Sequence, residues 1–101
     1  MFKVKGEVGL DRTANGHLTL TIADPGILDL ILLRLRLRFL HGFRREGIRI
    51  FGPDEQIAPD FVRGNLRLLA GYDDWSGLYL LAKDEQGDSF LETFAREIQV
   101  P

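Results

Sequence analysis

Residues 27–40, with the sequence ILDLILLRLRLRFL, are the stretch that decides the fold. They include ten large apolar residues and three arginines. From Leu33 to Phe39 apolar residues and arginines alternate strictly, and a period of two is typical of a strand with one buried face. The sequence therefore predicts a strand, with the odd-numbered residues of Ile31–Phe39 toward the core and Arg34, Arg36 and Arg38 on the other side.

The same stretch also has features of a helix. Asp24-Pro25 before it is a typical helix start, and leucine and arginine are good helix formers. On a helix, however, Arg36 would lie nearly opposite Arg34 and Arg38, so that charges would stand on both sides. A helix at about residues 25–41 is therefore kept as the alternative to the strand.

Composition indicates one folded domain. A chain of 101 residues has the common size of a single domain, which we expect over residues 1–101, and its hydrophobic share of 45% is sufficient for a core. The absence of cysteine excludes disulfides and thiolate metal sites and fits a reducing compartment. The first residues lack the apolar segment of a signal peptide, and apolar runs such as residues 30–33 are far too short to span a membrane. We therefore expect a cytoplasmic protein that does not enter a membrane.

A β-hairpin is predicted before residue 24. Apolar and polar residues alternate over residues 2–10 and again over residues 17–22. Between them lies Asn15-Gly16, a pair that favours positive φ and is a strong turn signal. We expect two antiparallel strands joined by residues 11–16.

The middle of the chain is predicted to be mostly loop. Residues 43–47 are mainly charged, and only Ile48–Phe51 has the character of a short strand. Residues 52–64 hold two prolines and two glycines, which favours a long loop. Because a structureless loop of this length is unusual, we expect it to be pinned to the core by Ile57, Phe61 and Val62.

Two strands and a helix are predicted after residue 64. Residues 65–70 and 77–83 alternate in hydrophobicity and flank a polar, aromatic loop. From residue 88 to 99 apolar residues recur at helical spacing, and Ser89 and Glu92 have the spacing of a capping box. We therefore expect a helix at 88–99 that buries its apolar side on a sheet.

Together these elements predict an α+β fold. The first arrangement is an antiparallel meander sheet, or a partly closed sandwich, of five to six strands with a C-terminal helix. If residues 27–40 are helical, the order becomes ββαβββα, and two helices cover one face of the sheet. Both arrangements use short connections between neighbouring elements.

Residue types for catalysis or metal binding are few. His17 and His41 are the only histidines, and neither has another metal-binding side chain at ligand spacing. Ser76 and Ser89 are the only serines, and neither lies in a motif for an activated nucleophile. The glycines do not form a phosphate-binding loop. We expect no catalytic residue, metal site or cofactor, and hence no enzymatic activity.

The best candidate for a contact surface is the loop Tyr72-Asp73-Asp74-Trp75. Tyrosine and tryptophan are enriched at protein interfaces, and the adjacent carboxylates favour association with a basic partner. Acidic residues of the preceding loop are expected to extend this surface. The predicted partner-binding residues are Tyr72, Asp73, Asp74, Trp75, Asp54 and Glu55.

A row of arginines is the alternative binding site. On a strand, Arg34, Arg36 and Arg38 would lie roughly 7 Å apart, close to the spacing of phosphates along a nucleic-acid strand. Against this, the net charge is −2, and the basic–aromatic pattern of RNA-binding sheets is missing. An anion-binding site for nucleic acid or a phosphorylated ligand is therefore the second hypothesis.

The sequence thus predicts a small non-enzymatic protein-binding module. Its size and acidity suit an inhibitor or immunity-type protein that masks a basic partner. A homodimer is a further hypothesis, because residues 27–33 carry more apolar surface than one side of a strand can bury.

Overall fold

Strands and helices account for most of the described chain. The computed structural model describes residues 6–13, 16–53, 55–73 and 77–99. Its elements in chain order are β1 (Glu7–Arg12), β2 (Leu18–Ala23), α1 (Ile27–Leu35), a π-helical segment (Arg36–Leu40), β3 (Arg44–Glu46), β4 (Ile50–Phe51), β5 (Glu55–Arg63), β6 (Leu66–Asp73), β7 (Gly77–Ala82) and α2 (Glu85–Gln99). The fold is of the α+β class, as predicted.

All the described strands belong to one antiparallel sheet. The order across the sheet is β1-β2-β7-β6-β5-β3, and β4 also pairs with β5. The predicted hairpin is confirmed, since β1 pairs with β2 over its whole length; residues 2–5 of the prediction lie outside the described chain. Because β2 pairs with β7, the hairpin joins the other strands in one open sheet of seven strands rather than five to six.

Residues 27–40 are helical, so the predicted strand is wrong and the helical alternative is confirmed. Asp29, Leu33 and Leu37 are buried and lie four residues apart, which places them on one side of a helix. Ile31 and Phe39 were expected in the core, but they are 46% and 75% exposed. Residues four apart lie on the same face of a strand and also on the same side of a helix. The burial of residues 29, 33 and 37 therefore fits the helix, although the alternating pattern indicates a strand.

The start of α1 is fixed by the buried carboxylate of Asp29. Its Oδ2 accepts hydrogen bonds from the backbone N–H groups of Gly26, at 3.1 Å, and Gly6, at 2.9 Å. The first bond satisfies a donor that a helix leaves unpaired at its N-terminus. The second ties the helix to the residue before β1. Gly6 is required at this place, because an added Cβ would lie 2.6 Å from Ile22 Cγ2.

The π-helical segment turns the chain toward α2. The backbone N–H of His41 donates to the carbonyl of Arg36 at 3.1 Å, one residue further along than in an α-helix. This wider turn is followed by a bond from the Phe43 N–H to the Leu37 carbonyl at 2.9 Å. As a result, Arg36 and His41 both reach Glu97 of α2.

Helix α2 packs on the same face of the sheet as α1. Its residues Leu91, Phe94 and Ile98 are fully buried, as the predicted apolar side requires. The helix begins at residue 85, earlier than predicted, and Asp84 Oδ1 accepts a hydrogen bond from the Gly87 N–H at 2.8 Å. The proposed cap Ser89 therefore lies inside the helix. The strand residues that complete this core include Leu18, Leu20, Ile22, Phe61, Leu66, Leu68, Ala70, Leu80 and Ala82.

The predictions of a loop at 43–47 and of a long loop at 52–64 are wrong, because these stretches contain β3 and β5. Within β5 the pairing with β6 shifts between Ala58 and Phe61, which is a β-bulge at Pro59 and Asp60. A bulge tolerates proline because the residue need not donate to the ladder. The expected anchors Phe61 and Val62 are each only 4% exposed, whereas Ile57 is 43% exposed.

Candidate binding surfaces

The outer side of α1 and of the π-helical segment carries an apolar stripe. The stripe arises because ten of the residues in 27–40 are large and apolar, and one helix side cannot bury them all. A contiguous apolar surface of this kind is rare on a monomeric protein and indicates a contact site. The apolar stripe consists of Ile27, Leu28, Ile31, Leu35 and Phe39, which are 74, 57, 46, 44 and 75% exposed.

A second exposed apolar area surrounds β4. Ile48 and Phe51 are 76% and 69% exposed, and Ile50 and Ile57 are about half exposed. β4 is short and pairs with β5, so its other edge carries no described strand. Short edge strands of this type limit pairing between sheets.

A groove of about 420 Å³ separates the first turns of α1 from the sheet. Its walls are mainly apolar, with Ile27 and Leu30 on the helix side and Leu78 on the sheet side. Ala58 leaves space on its floor, because its side chain is small. The volume lies within the range of small-molecule sites, which is about 300–1,000 Å³.

Three arginines, the arginine cluster, stand at this groove. Arg34 and Arg49 line it, and Arg34 and Arg45 line the narrow crevice that continues it beneath α1. Within the described residues, neither Arg34 nor Arg49 takes part in an ion pair. The pKa of Arg45 is lower than usual because its guanidinium is partly desolvated and because Arg34 and Arg49 repel it. An anion at this position would relieve that repulsion.

The predicted acidic–aromatic surface is only partly described, since Asp54, Asp74 and Trp75 lie outside the described residues. Tyr72 is exposed and lines the groove on the helix-bearing face of the sheet. Glu55 and Asp73 are paired on neighbouring strands and line a shallow depression on the opposite face. The described residues therefore place Tyr72 apart from the two carboxylates.

Glu55 is engaged by Tyr79 on that opposite face. The Tyr79 hydroxyl donates a hydrogen bond to Glu55 Oε2. The pKa of Tyr79 is raised well above its usual value, mainly because the phenol is partly buried and further because the Glu55 carboxylate lies beside it. Tyr79 therefore stays a neutral donor and is unsuited to act as a base.

The predicted arginine row is not formed, because its members lie on different sides of the helix. Arg36 Nη1 is 3.1 Å from Glu97 Oε2 and is largely covered. Arg34 belongs to the arginine cluster, whereas Arg38 is exposed and does not line the groove. Arg45 and Arg49 were not part of the row that the sequence predicted. Their approach to Arg34 depends on the pairing of β3 with β5 and on the position of α1.

Each of the two histidines contacts a carboxylate. His17 Nδ1 lies 3.0 Å from Asp88 Oδ2, and His41 Nε2 lies 3.0 Å from Glu97 Oε1. Asp88 also accepts the backbone N–H of Leu18 at 2.7 Å, and these two bonds hold the pKa of Asp88 below its usual value. Among the described residues, no group of three or more metal-binding side chains comes together.

Comparisons with known proteins give no further indication: no family model, curated protein or solved structure matches this chain significantly. The fold and surfaces thus define only an α+β protein with an open sheet, an exposed helix side and an arginine-lined groove. In the described part of the chain, every helix is too short or too polar to cross a membrane.

Proposed function

We propose that this chain is a non-enzymatic protein-binding module that pairs with a second copy of itself through the apolar stripe of α1. The observation that carries the proposal is the exposure of five large apolar side chains along one helix side. A stable interface buries about 1,200–2,000 Å² of both surfaces together. Two such stripes offer exposed apolar side chains for the core of an interface of this kind.

The stripe is complementary to itself in antiparallel orientation. A two-fold axis at Ile31 would place Ile27 of one copy against Leu35 of the other, as an isologous contact requires. The same axis would bring the exposed Asp24 of one copy to the exposed Arg38 of the other. Opposite charges at the rim favour this register and speed association.

Sedimentation velocity over a range of concentrations tests the proposal. We expect a monomer–dimer equilibrium in the unchanged chain and a monomer in Ile31→Glu, because a carboxylate in the centre of the interface would be desolvated. Circular dichroism should show that this variant keeps its fold, since Ile31 is half exposed. The matched control is Ile48→Glu, which alters an equally apolar but more exposed residue outside the stripe.

The rim charges give a second readout. Asp24→Asn and Arg38→Gln should each weaken the dimer, and the double variant should be no weaker than either single variant. Asparagine is chosen because residue 24 has a φ of 49°, which asparagine tolerates. A chain that stays monomeric at all concentrations, or a dimer that survives Ile31→Glu, contradicts the proposal.

A basic partner at the opposite face of the sheet is the second candidate. It is supported by the adjacent carboxylates Glu55 and Asp73 on β5 and β6. A lysine-rich peptide should bind with an affinity that falls with salt, and Asp73→Asn should weaken binding. Glu92→Gln, an exposed change on α2, is the control.

A further inference from the structure

The groove beside α1 combines an apolar lining with positively charged side chains. Leu30 and Leu78 face each other across it, and Ala58 keeps its floor open. These residues offer a surface for a hydrocarbon chain, which gains free energy on leaving water. The lining of the groove also includes the polar side chains of Gln56 and Tyr72.

The arginine cluster is held in place from the sheet side. Arg45 Nε and Nη2 donate hydrogen bonds to the carbonyl of Pro59, at 3.1 and 3.0 Å. Its guanidinium also lies 4.1 Å from the centre of the Phe61 ring. Pro59 is part of the β-bulge, so the bulge supplies the carbonyl that orients Arg45. No ion pair within the described part of the chain engages Arg34 or Arg49, and their planar guanidinium groups suit an anionic ligand.

We infer that this groove binds an amphipathic carboxylate, a small molecule with a linear hydrocarbon chain and one terminal carboxylate. The carboxylate lies between Arg34, Arg45 and Arg49, and the chain lies along Leu30 and Leu78. Arginine suits this task because its N–H groups pair with both carboxylate oxygens. The site does not depend on pairing between copies, because most of its lining is outside the apolar stripe.

Isothermal titration with three probes tests the two halves of the site. Octanoate carries both features, octanol lacks the charge, and acetate lacks the chain. We expect saturable binding of octanoate at one site per chain, with octanol and acetate each weaker by about tenfold or more. Binding should also weaken as salt is added. Octanol that binds as tightly as octanoate, or acetate that does so, overturns the inference.

Variants locate the carboxylate. Arg45→Gln and Arg49→Gln should each weaken octanoate binding by about tenfold. Arg44→Gln is the matched control, because Arg44 is the neighbour of Arg45 on the same strand but pairs with Glu46 on the other face. Equal losses in all three variants, or none in Arg45→Gln, contradict the inference.

Methyl NMR locates the hydrocarbon chain and separates this site from the proposed dimer. Octanoate should shift the methyl signals of Leu30 and Leu78 and leave those of Leu91, a buried residue of α2, unchanged. The same titration is repeated with Ile31→Glu. Unchanged octanoate binding in that variant supports a site that is independent of self-association, and its loss contradicts such a site.

Discussion

Arg36 Nη1 lies 3.1 Å from Glu97 Oε2, and this bond joins the π-helical segment to α2 across otherwise apolar packing. His41 Nε2 meets the other oxygen of the same carboxylate at 3.0 Å. The rings of Phe90 and Phe94 lie edge-on to His41, with centroids 5.2 and 5.5 Å away. Glu97 is therefore the polar centre of the contact between the two helices.

Glu97→Gln should destabilise the protein by about 2 kcal/mol, because it replaces charge-assisted hydrogen bonds in a partly buried place by neutral ones. Urea unfolding followed by circular dichroism gives the free energy. Glu92→Gln, an exposed residue of the same helix, is the control and should cost almost nothing. Equal stability of the two variants would show that the Glu97 contact contributes little.

Leu33 and Ile31 should differ strongly on truncation, although the sequence pattern makes them equivalent. Leu33 is 3% exposed and belongs to the core, whereas Ile31 is 46% exposed. Leu33→Ala is expected to cost about 2–4 kcal/mol through lost packing and a cavity, and Ile31→Ala less than about 1 kcal/mol. Unfolding is measured at a concentration at which the chain is monomeric. Similar costs for both would favour a strand over the helix.

Stability should fall in acid because of Asp88. Hydrogen bonds from His17 and Leu18 lower its folded-state pKa below the ordinary 3.8. The contribution is therefore fully present above about pH 4 and is lost as the pH falls through the lowered folded-state pKa. Melting temperatures between pH 5 and 2.5 test this. Asp88→Asn should melt lower at pH 5, and the gap to the unchanged protein should narrow in acid; a constant gap contradicts the prediction.

Gly71→Ala should destabilise the sheet by about 1–3 kcal/mol through overpacking. An added Cβ would meet the Tyr79 hydroxyl and would lie 2.8 Å from the carbonyl oxygen of Gln56. Tyr79 would have to move away from Glu55, with which it forms a hydrogen bond. In a Tyr79→Ala background the same substitution should cost less, because the ring is absent. Additive costs in the double variant would show that the ring does not limit the space.

Elements with local signals were predictable from the sequence. Leu18, Leu20 and Ile22 alternate with threonines and form a strand, and the apolar side of α2 follows helical spacing. β5 was not predictable, because Pro59 is a loop signal in isolation. Only the tertiary pairing with β6, with its bulge at that proline, makes a strand possible.

The binding surfaces were less accessible to sequence reasoning. If residues 27–40 are drawn as a helix, a helical wheel places Asp29, Leu33 and Leu37 on one side and shows the apolar stripe on the other side. The arginine cluster could not be predicted in this way. Its members come from α1, from β3 and from the connection before β4, and only the folded chain brings them together.

The pairing of β2 with β7 also sets the order in which the protein can assemble. Thr19 pairs with Leu81 and Ile22 with Leu78, so these partners are roughly 60 residues apart, and contacts between such distant residues slow folding. During synthesis the ribosome releases the β1–β2 hairpin long before β7, and two strands alone are not stable in water. The apolar side chains of Leu20 and Ile22 therefore stay exposed to water until β7 and α2 have been synthesised. A chaperone that holds early segments of nascent chains would therefore affect the yield of this protein more than its final stability.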